Sequence, residues 1–382
     1  MEDPVALWQP FVKRHPHTAD KGTHALVIGV SAYDNLPPPD GDPEDPWNLV
    51  QLQSAATTGL LFAEWLNERY NSGEGAPLQS LRVLLSPSKA EGQRFGERLG
   101  RAPLATSQNT RDALRAWSAD LLRSAGSTSL IYLAGHGVFA EGRQLNLLLQ
   151  DLPRELYLDE SIDITSVLAS LTHYNLDASY AFIDTCSDSL SRNRTYGSGG
   201  IKLGHKFTNT DTRRGDHRFF AAIRGEPAMG HIDVGSIFGH ALRLTLGSTA
   251  TCTPGGTWAV TPQILAERLG AWAKDHGVDF WPEPRGSEPL RFQVPDKPPK
   301  GTIKVTLAPP TGALNFMVRV LDEDDEQEIS PRIFDPHPWT SPPVEPGIHV
   351  VELTRGGIGP LRKTRNVDVY QVQEYPFEDV QR

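Results

Sequence analysis

Cysteine is scarce in this chain: its 382 residues include two, Cys186 and Cys252. Two cysteines cannot form the disulfide framework of a small secreted domain, so the sequence predicts a reducing, cytoplasmic location. Long apolar runs are also lacking, since no stretch approaches the roughly 18 residues that a membrane-spanning helix needs. The opening residues, MEDPVALWQP, do not have the pattern of a secretory signal. We therefore expect a soluble protein without a membrane partner.

Positive charge is in deficit. The chain has 37 lysines and arginines against 47 aspartates and glutamates, a net charge of −10, and it has no lysine-rich run. A primary nucleic-acid binder usually carries a basic footprint, so we expect no nucleic-acid partner. The histidines show no metal-ligand spacing, and the acidic run DEDDEQE at 322–328 lacks the EF-hand pattern. We expect no metal ion and no cofactor.

Short apolar runs rich in Val, Ile and Leu alternate with stretches that have helical periodicity. Such alternation predicts an α/β fold with a mostly parallel central sheet and helices on both faces. The expected strands are 24–33, 81–86, 127–137, 145–152, 178–184 and 218–225, and the expected helices are 49–70, 110–123, 163–174 and 235–247.

The composition changes near residue 280, where a proline-rich stretch begins. Short alternating runs separated by Pro and Gly turns follow it, a pattern typical of a small β-sandwich. The sequence therefore predicts an N-terminal extension (1–21), an α/β domain (22–280), a linker (281–300) and a C-terminal β-sandwich domain (301–382).

Two of the expected strands end in residues suited to chemistry. One ends in Gly-His-Gly at His136, and another ends in Asp-Thr-Cys at Cys186, 50 residues later. Parallel strands bring their carboxyl ends to one edge, where ligands of such sheets bind. An imidazole that takes the thiol proton generates the nucleophilic thiolate. The backbone amides of Gly137 and Cys186 would then form an oxyanion hole. The alternative for a cysteine after an apolar strand is a small core residue.

Three stretches, in this order and spacing, resemble the caspase-like cysteine peptidases, the clan of caspases, metacaspases and clostripain-type proteases. They are HALVIGVSAYDNLP, LIYLAGHG and AFIDTC. The resemblance covers roughly residues 22–275 and implies a caspase-like fold. It implies a catalytic dyad of His136 and Cys186, with an oxyanion donor at Gly137. A histidine about 50 residues before the cysteine is itself a caspase feature.

The residues around the cysteine are closer to metacaspases and their bacterial relatives than to animal caspases. DTCSDS shares the Asp and Cys of the metacaspase D-S-C-H-S-G. That likeness implies that Asp184 lines the S1 pocket and selects Arg or Lys, although a helix cap or loop bridge is the alternative. Metacaspases carry a second Asp where this chain has Thr58, and a Ser where it has Ala134. Glu226 is the candidate for the missing carboxylate, and a solvated surface position is its alternative.

A long polar segment, 189–217, follows the cysteine and contains six lysines and arginines. In the resembled family, activation cleavage often falls in the corresponding segment. We therefore expect self-processing there, with Arg213 and Arg214 as the candidate sites; a plain surface loop is the alternative.

Taken together, these features predict a cysteine endopeptidase that acts on protein substrates after Arg or Lys. An activating or upstream signalling protein is the partner that the resemblance implies, and the family's bacterial members often serve in defence. The alternatives are a catalytically silent scaffold that acts through its C-terminal domain and a cysteine-dependent acyl transferase.

Overall fold

The structure is a computed structural model. It describes residues 13–14, 21–39, 49–72, 76–123, 125–140, 144–153, 158–188, 199–203, 215–222, 230–252, 258–286, 291–295, 303–308, 316–321, 332–334, 339–340, 347–355, 358–367 and 373–378. For Cys186 it describes the backbone. The chain divides into two compact units: the first comprises Met1–Leu246 and Val260–Val294, and the second Gly247–Ala259 and Pro295–Arg382.

The first unit contains most of the helices and a large sheet. Its helices are α1 (Ala55–Arg69), α2 (Lys89–Phe95), α3 (Glu97–Gly100), α4 (Ser107–Leu121), α5 (Ile164–Ser170), α6 (Ile237–Ser248, whose last residues belong to the second unit) and α7 (Pro262–His276). Its strands are β1 (Lys13–Arg14), β2 (Thr23–Val30), β3 (Leu78–Ser86), β4 (Ser127–Phe139), β5 (Leu145–Leu148), β6 (Ser161–Asp163), β7 (Leu176–Asp188), β8 (Gly215–Phe220), β9 (Gly230–His231), β10 (Gly235–Ser236) and β13 (Trp281–Gly286).

The central sheet has the order β1-β3-β2-β4-β7-β8-β13, and β5 and β6 extend it from β4. The pairs β2–β3, β2–β4, β4–β7 and β7–β8 are parallel. The outermost pairs, β1–β3 and β8–β13, are antiparallel, as are β4–β5 and β5–β6. The mostly parallel α/β sheet predicted from the sequence is confirmed.

Helices pack on both faces of this sheet because its strands present apolar side chains on both faces. On one face, Ile131 and Leu133 of β4 join a core cluster with Trp117 of α4. On the other face, the ring of Tyr132 stacks on Phe62 of α1 at a centroid distance of 4.5 Å. The helices α1 and α4 therefore lie on opposite faces.

Helix α1 approaches β2 closely at Gly29. A Cβ placed on Gly29 would lie 2.6 Å from the carbonyl oxygen of Ala55, the first residue of α1. A contact under 3.0 Å with backbone cannot be relieved by a side-chain rotation. A glycine at this position thus lets the N-terminus of α1 lie directly against the strand.

The strands β4 and β7 are longer than expected. The sequence predicts that they end at His136 and Cys186, but they continue to Phe139 and Asp188. The expectation is wrong because β5 pairs with the end of β4, and β7 stays paired with β4 as far as Asp188. His136 and Cys186 therefore lie within paired strands.

The expected linker 281–300 is wrong in its first part. Trp281–Gly286 forms β13, which pairs with β8 at the end of the sheet. Its prolines, Pro282 and Pro284, are tolerated because an outermost strand needs donors on one side only. Phe292 is fully buried and packs against Phe182, so the first unit extends beyond residue 280 to Val294.

The second unit contains the strands β11 (Thr251–Cys252), β12 (Trp258–Ala259), β14 (Ile303–Ala308), β15 (Phe316–Leu321), β16 (Arg332–Phe334), β17 (Trp339–Thr340), β18 (Gly347–Arg355), β19 (Ile358–Val367) and β20 (Gln373–Glu378). They form a β11–β12 pair, a sheet of order β17-β14-β20 and a sheet of order β16-β15-β18-β19. The face-to-face packing of a sandwich stays a prediction. Within the part of the chain that the structure describes, every helix is too short or too polar to cross a membrane.

Candidate functional site

His136 and Cys186 are register partners. In the parallel ladder of β4 and β7, His136 lies opposite Cys186, and Gly137 lies opposite Ser187. Neighbouring strands are about 4.8 Å apart, so the two backbones are adjacent. The sequence predicts that these residues meet at one sheet edge, and the backbone brings them together on neighbouring strands.

This part of β4 and β7 extends beyond the strands on either side of it. Pairing of β2 with β4 ends at Ala134, and pairing of β8 with β7 ends at Ile183. His136 and Cys186 therefore follow the carboxyl ends of the flanking parallel strands. In open parallel sheets this is where ligands bind.

The imidazole of His136 is held by a backbone carbonyl. Its Nε2 lies 2.7 Å from the carbonyl oxygen of Val50, and the residue is 6% exposed. A carbonyl only accepts hydrogen bonds, so Nε2 carries the proton in this contact. In the neutral ring, Nδ1 is then the basic nitrogen.

Tyr33 also holds His136 in place. The backbone amide of His136 donates to the Tyr33 hydroxyl at 2.9 Å, and that hydroxyl donates to the carbonyl of Val30 at 3.1 Å. The two rings also contact each other, with centroids 5.1 Å apart. Tyr33 and Val50 belong to the connection between β2 and α1, so this connection determines where the imidazole lies.

Gly135, the first glycine of Gly-His-Gly, lies where a side chain would clash with its neighbours. Gly135 has a φ of +151°, and a Cβ on it would lie 3.0 Å from the Tyr33 hydroxyl and 3.0 Å from Leu147 Cδ1. A side chain here would displace the group that accepts from His136. Gly137 pairs with Leu147 of β5; its role as an oxyanion donor stays a prediction.

Asp184, two residues before Cys186, is buried. It is 3% exposed, and its Oδ2 accepts hydrogen bonds from the hydroxyls of Tyr132, at 2.6 Å, and Ser236. Its Oδ1 is buried and has no hydrogen-bond partner among the described residues. Burial raises the pKa of Asp184 from 3.8 to about 6, and the two hydrogen bonds act against that rise.

The contacts of Asp184 depend on Thr58. The Ser236 amide donates to Thr58 Oγ1 at 2.7 Å, and the Ser236 hydroxyl accepts from the Gly239 amide at 2.8 Å. Gly235 makes room for this contact, because it has a φ of +83° and a Cβ on it would lie 2.7 Å from Thr58 Oγ1. Thr58 therefore links α1 to the start of α6, and Ser236 reaches the carboxylate.

Tyr132 is a hydrogen-bond donor to this carboxylate at any physiological pH. Burial, and then the charge of Asp184, raises the pKa of Tyr132 well above its ordinary value. Arg243 acts in the opposite direction on the same hydroxyl. The Arg243 guanidinium donates to the carbonyl of Val234 at 2.8 Å, and burial lowers the pKa of Arg243.

Three residues named from the sequence, Glu226, Arg213 and Arg214, lie outside the described residues. Three contributors that the structure adds are the Val50 carbonyl, the Tyr33 hydroxyl and the Ser236 hydroxyl. A backbone carbonyl has no sequence signature, and Ser236 follows Asp184 by 52 residues without a recognisable motif. Within the described part of the chain, His, Cys, Asp and Glu form no group of three that could hold a metal ion.

Comparisons with known proteins give limited similarity. The fold and the backbone of the site define a mixed α/β protein with a histidine and a cysteine in register beyond the flanking strands. No protein-family model and no curated protein matches the chain. Among solved structures it is similar to Caspase-1 from Spodoptera frugiperda, at 12% identity and a TM-score of 0.36, over 75% of this chain and 92% of that chain. A likeness at that TM-score carries no argument about activity.

Proposed function

We propose that this chain is a caspase-like cysteine endopeptidase with His136 and Cys186 as its catalytic dyad. The register of His136 against Cys186 is the observation that carries the proposal. Residues paired across a ladder belong to the same face of a sheet, so the proposal places the thiol beside the imidazole. Their position beyond the flanking strands supports it, because a peptide needs an open approach to the nucleophile.

The hydrogen bond to Val50 defines the direction of proton transfer. With Nε2 donating to the Val50 carbonyl, Nδ1 accepts the proton of the Cys186 thiol. The thiolate sulfur attacks the peptide carbonyl carbon, and the carbonyl oxygen becomes an oxyanion. The amides of Gly137 and Cys186 are the proposed donors to that oxyanion.

The second half of the reaction returns the proton. The imidazolium gives its Nδ1 proton to the leaving amine as the C–N bond breaks, which leaves a thioester on Cys186. His136 then takes a proton from water, and the hydroxide attacks the thioester carbonyl carbon. The C–S bond breaks and releases the carboxylic acid product, and the imidazolium returns its proton to the Cys186 sulfur. The Val50 carbonyl stabilises the imidazolium throughout by accepting from Nε2.

We also propose a preference for Arg, and then Lys, at the P1 position. Asp184 supports this through its buried Oδ1, which has no hydrogen-bond partner among the described residues. A guanidinium that reached this oxygen would form a charge-assisted hydrogen bond with it. Glu226 is the second proposed carboxylate.

Cleavage of fluorogenic peptides ending in Arg, Lys or Asp tests this preference for P1, and equal or faster cleavage after Asp contradicts it.

Active-site labelling tests the dyad, and the chain offers a matched control. We expect a peptidyl-arginine chloromethyl ketone to add one label to the wild type and to Cys252→Ala, detected by intact mass. Cys186→Ala should take up none, and His136→Ala should react at least about a hundredfold more slowly. Cys186→Ala and His136→Ala should lose peptidase activity while their circular dichroism spectra stay unchanged. Labelling at Cys252, or a wild-type rate in His136→Ala, contradicts the dyad and favours a scaffold.

A further inference from the structure

A second concave site lies on the α4 side of the sheet, the face opposite Tyr132 and Phe62. It is a cavity of about 410 Å³ between α4 and the segment 199–203. Small-molecule sites typically occupy 300–1,000 Å³, so the cavity is of ligand size. Nothing in the proposed peptidase chemistry uses it.

One face of α4 forms a wall of this cavity. Arg111, Leu114, Arg115 and Ser118 line it, and their spacing of three and four residues places them on one side of a helix. Lys202 lines the opposite wall, so cations converge on the cavity from two elements.

Two of the cations of this cavity make long ion pairs. Arg115 is 3.6 Å from Asp112, and both side chains are exposed, so this pair contributes little. Lys202 has a side chain 55% exposed and lies 3.9 Å from the buried carboxylate of Asp163, beyond hydrogen-bond distance. Arg111 donates to the backbone carbonyl of Asp159 at 3.2 Å, and this neutral acceptor does not compensate the charge of the guanidinium.

Cations outnumber carboxylates among the described residues that line the cavity. Three cations, Arg111, Arg115 and Lys202, line it together with one carboxylate, Asp159. Asp112 and Asp163, the ion-pair partners of Arg115 and Lys202, lie outside the lining. Apolar side chains also line the cavity beside the cations, those of Leu114, Ile201 and Leu203.

We infer that this cavity binds a small phosphate-bearing ligand. Arginine forks match phosphate oxygens in pairs, and a lysine adds a point charge from the other side. The apolar lining would accept the base of a nucleotide, whereas free polyphosphate would use the cations alone. Both sources share the phosphate chemistry, and the experiment separates them.

The binding wall on the 199–203 side is built into the fold. The amide of Ile201 donates to the Ser161 carbonyl at 2.7 Å, and the Asp163 amide donates to the Ile201 carbonyl at 3.2 Å. These bonds attach the segment to β6, so Lys202 is carried on backbone that is fixed relative to the sheet.

Isothermal titration of the full chain with ATP, inorganic triphosphate and adenosine tests the inference. We expect triphosphate and ATP to bind at fixed ionic strength, and adenosine to bind at least tenfold more weakly than ATP. Arg115→Ala and Lys202→Ala should each weaken both phosphate ligands about tenfold. Arg285→Ala, which removes an exposed arginine from β13, is the control and should bind as the wild type does.

The outcomes separate clearly. ATP binding more tightly than triphosphate assigns the site to a nucleotide, and equal affinities assign it to a free polyphosphate; both support phosphate recognition. Absence of binding at millimolar triphosphate and ATP overturns the inference. So does binding that Arg115→Ala and Lys202→Ala leave unchanged, or adenosine binding as tightly as ATP. Peptidase activity is not a readout, so failure of the proposed function leaves this test intact.

Discussion

Tyr33 shows how much of the candidate site depends on one hydroxyl. It accepts from the His136 amide and donates to Val30, and thereby joins β2, β4 and the connection that carries Val50. A tyrosine far from the nucleophile in sequence thus positions the proposed base. Because the contact is made to backbone, no pattern of residue types indicates it.

We expect Tyr33→Phe to lower the free energy of unfolding by about 1–3 kcal/mol, because the buried His136 amide loses this acceptor. Peptidase activity should fall in the same variant. Tyr174→Phe is the matched control: it removes a buried hydroxyl that bonds Ser118 at 2.7 Å on the α4 side. Denaturant unfolding and kcat/KM measure the two effects. A loss of activity as large in Tyr174→Phe would mean that stability alone explains the result.

Asp184 should make stability depend on pH. Its pKa is about 6 in the folded chain against an ordinary 3.8, so the folded state keeps a proton that the unfolded chain releases between these values. Stability therefore falls as pH rises from about 4 to 6. Asp184→Asn removes this titration. Relative to the wild type, the variant should gain about 2 kcal/mol of stability between pH 4.5 and pH 7.5.

Urea unfolding of the wild type and Asp184→Asn at both pH values measures this difference. Asp275→Asn, a substitution of an exposed carboxylate on α7, is the control and should show a much smaller change. An equal pH dependence in the wild type and Asp184→Asn would contradict the raised pKa.

At the scale of elements, the close contact of α1 with β2 constrains the site. Gly29→Ala would place a Cβ 2.6 Å from the Ala55 carbonyl, so α1 must move away from the strand. We expect it to destabilise the chain by about 1–3 kcal/mol, as overpacking does. Activity should fall with it, because Val50 precedes this helix. Thermal and denaturant unfolding give the stability.

Gly92→Ala is the matched control for this prediction. Gly92 lies inside α2, and nothing lies within 4 Å of the position of a new Cβ. Alanine there should stabilise the chain by about 0.5–1 kcal/mol through helix propensity. If Gly29→Ala and Gly92→Ala changed stability in the same direction, the close approach of α1 would be wrong.

The elements that the sequence predicts best are those with strong local patterns. The buried strands β2, β3 and β4 each contain a short apolar run, and their parallel pairing follows from the intervening helices. Helix α7 is not among the predicted elements, although its signals are present: Thr261 caps it, Pro262 follows, and Gly277 ends it with a φ of +66°.

The sequence indicates some residues of the candidate site and gives no sign of others, for a related reason. His136 and Cys186 each follow an apolar run that predicts a strand, which is a local pattern. The pairing of the two strands then brings these residues together. The Ser236–Asp184 contact and the Val50–His136 contact join residues 52 and 86 positions apart. They depend on how α6 and the β2–α1 connection pack, and packing at that distance has no local signature.

At the scale of the whole molecule, self-processing remains the prediction that the long basic segment motivates. We expect the active wild type at high concentration to be cut within 189–217, most readily after Arg213 or Arg214. Intact-mass analysis should show two fragments, whereas Cys186→Ala and the double variant Arg213→Ala/Arg214→Ala should stay as one chain. A fully active wild type that stays uncut would contradict processing as a requirement for activity.

The two outer strands of the large sheet bear on how copies of this chain meet during synthesis. Among the described strands, β1 lies at one end, and its two residues are Lys13 and Arg14. At the other lies β13, whose prolines at 282 and 284 withhold N–H donors from the same side of the strand. Exposed strand edges recruit further strands and seed aggregates, and short charged edges and prolines block that growth. A crowded cell could therefore hold many newly made copies without their sheets fusing edge to edge.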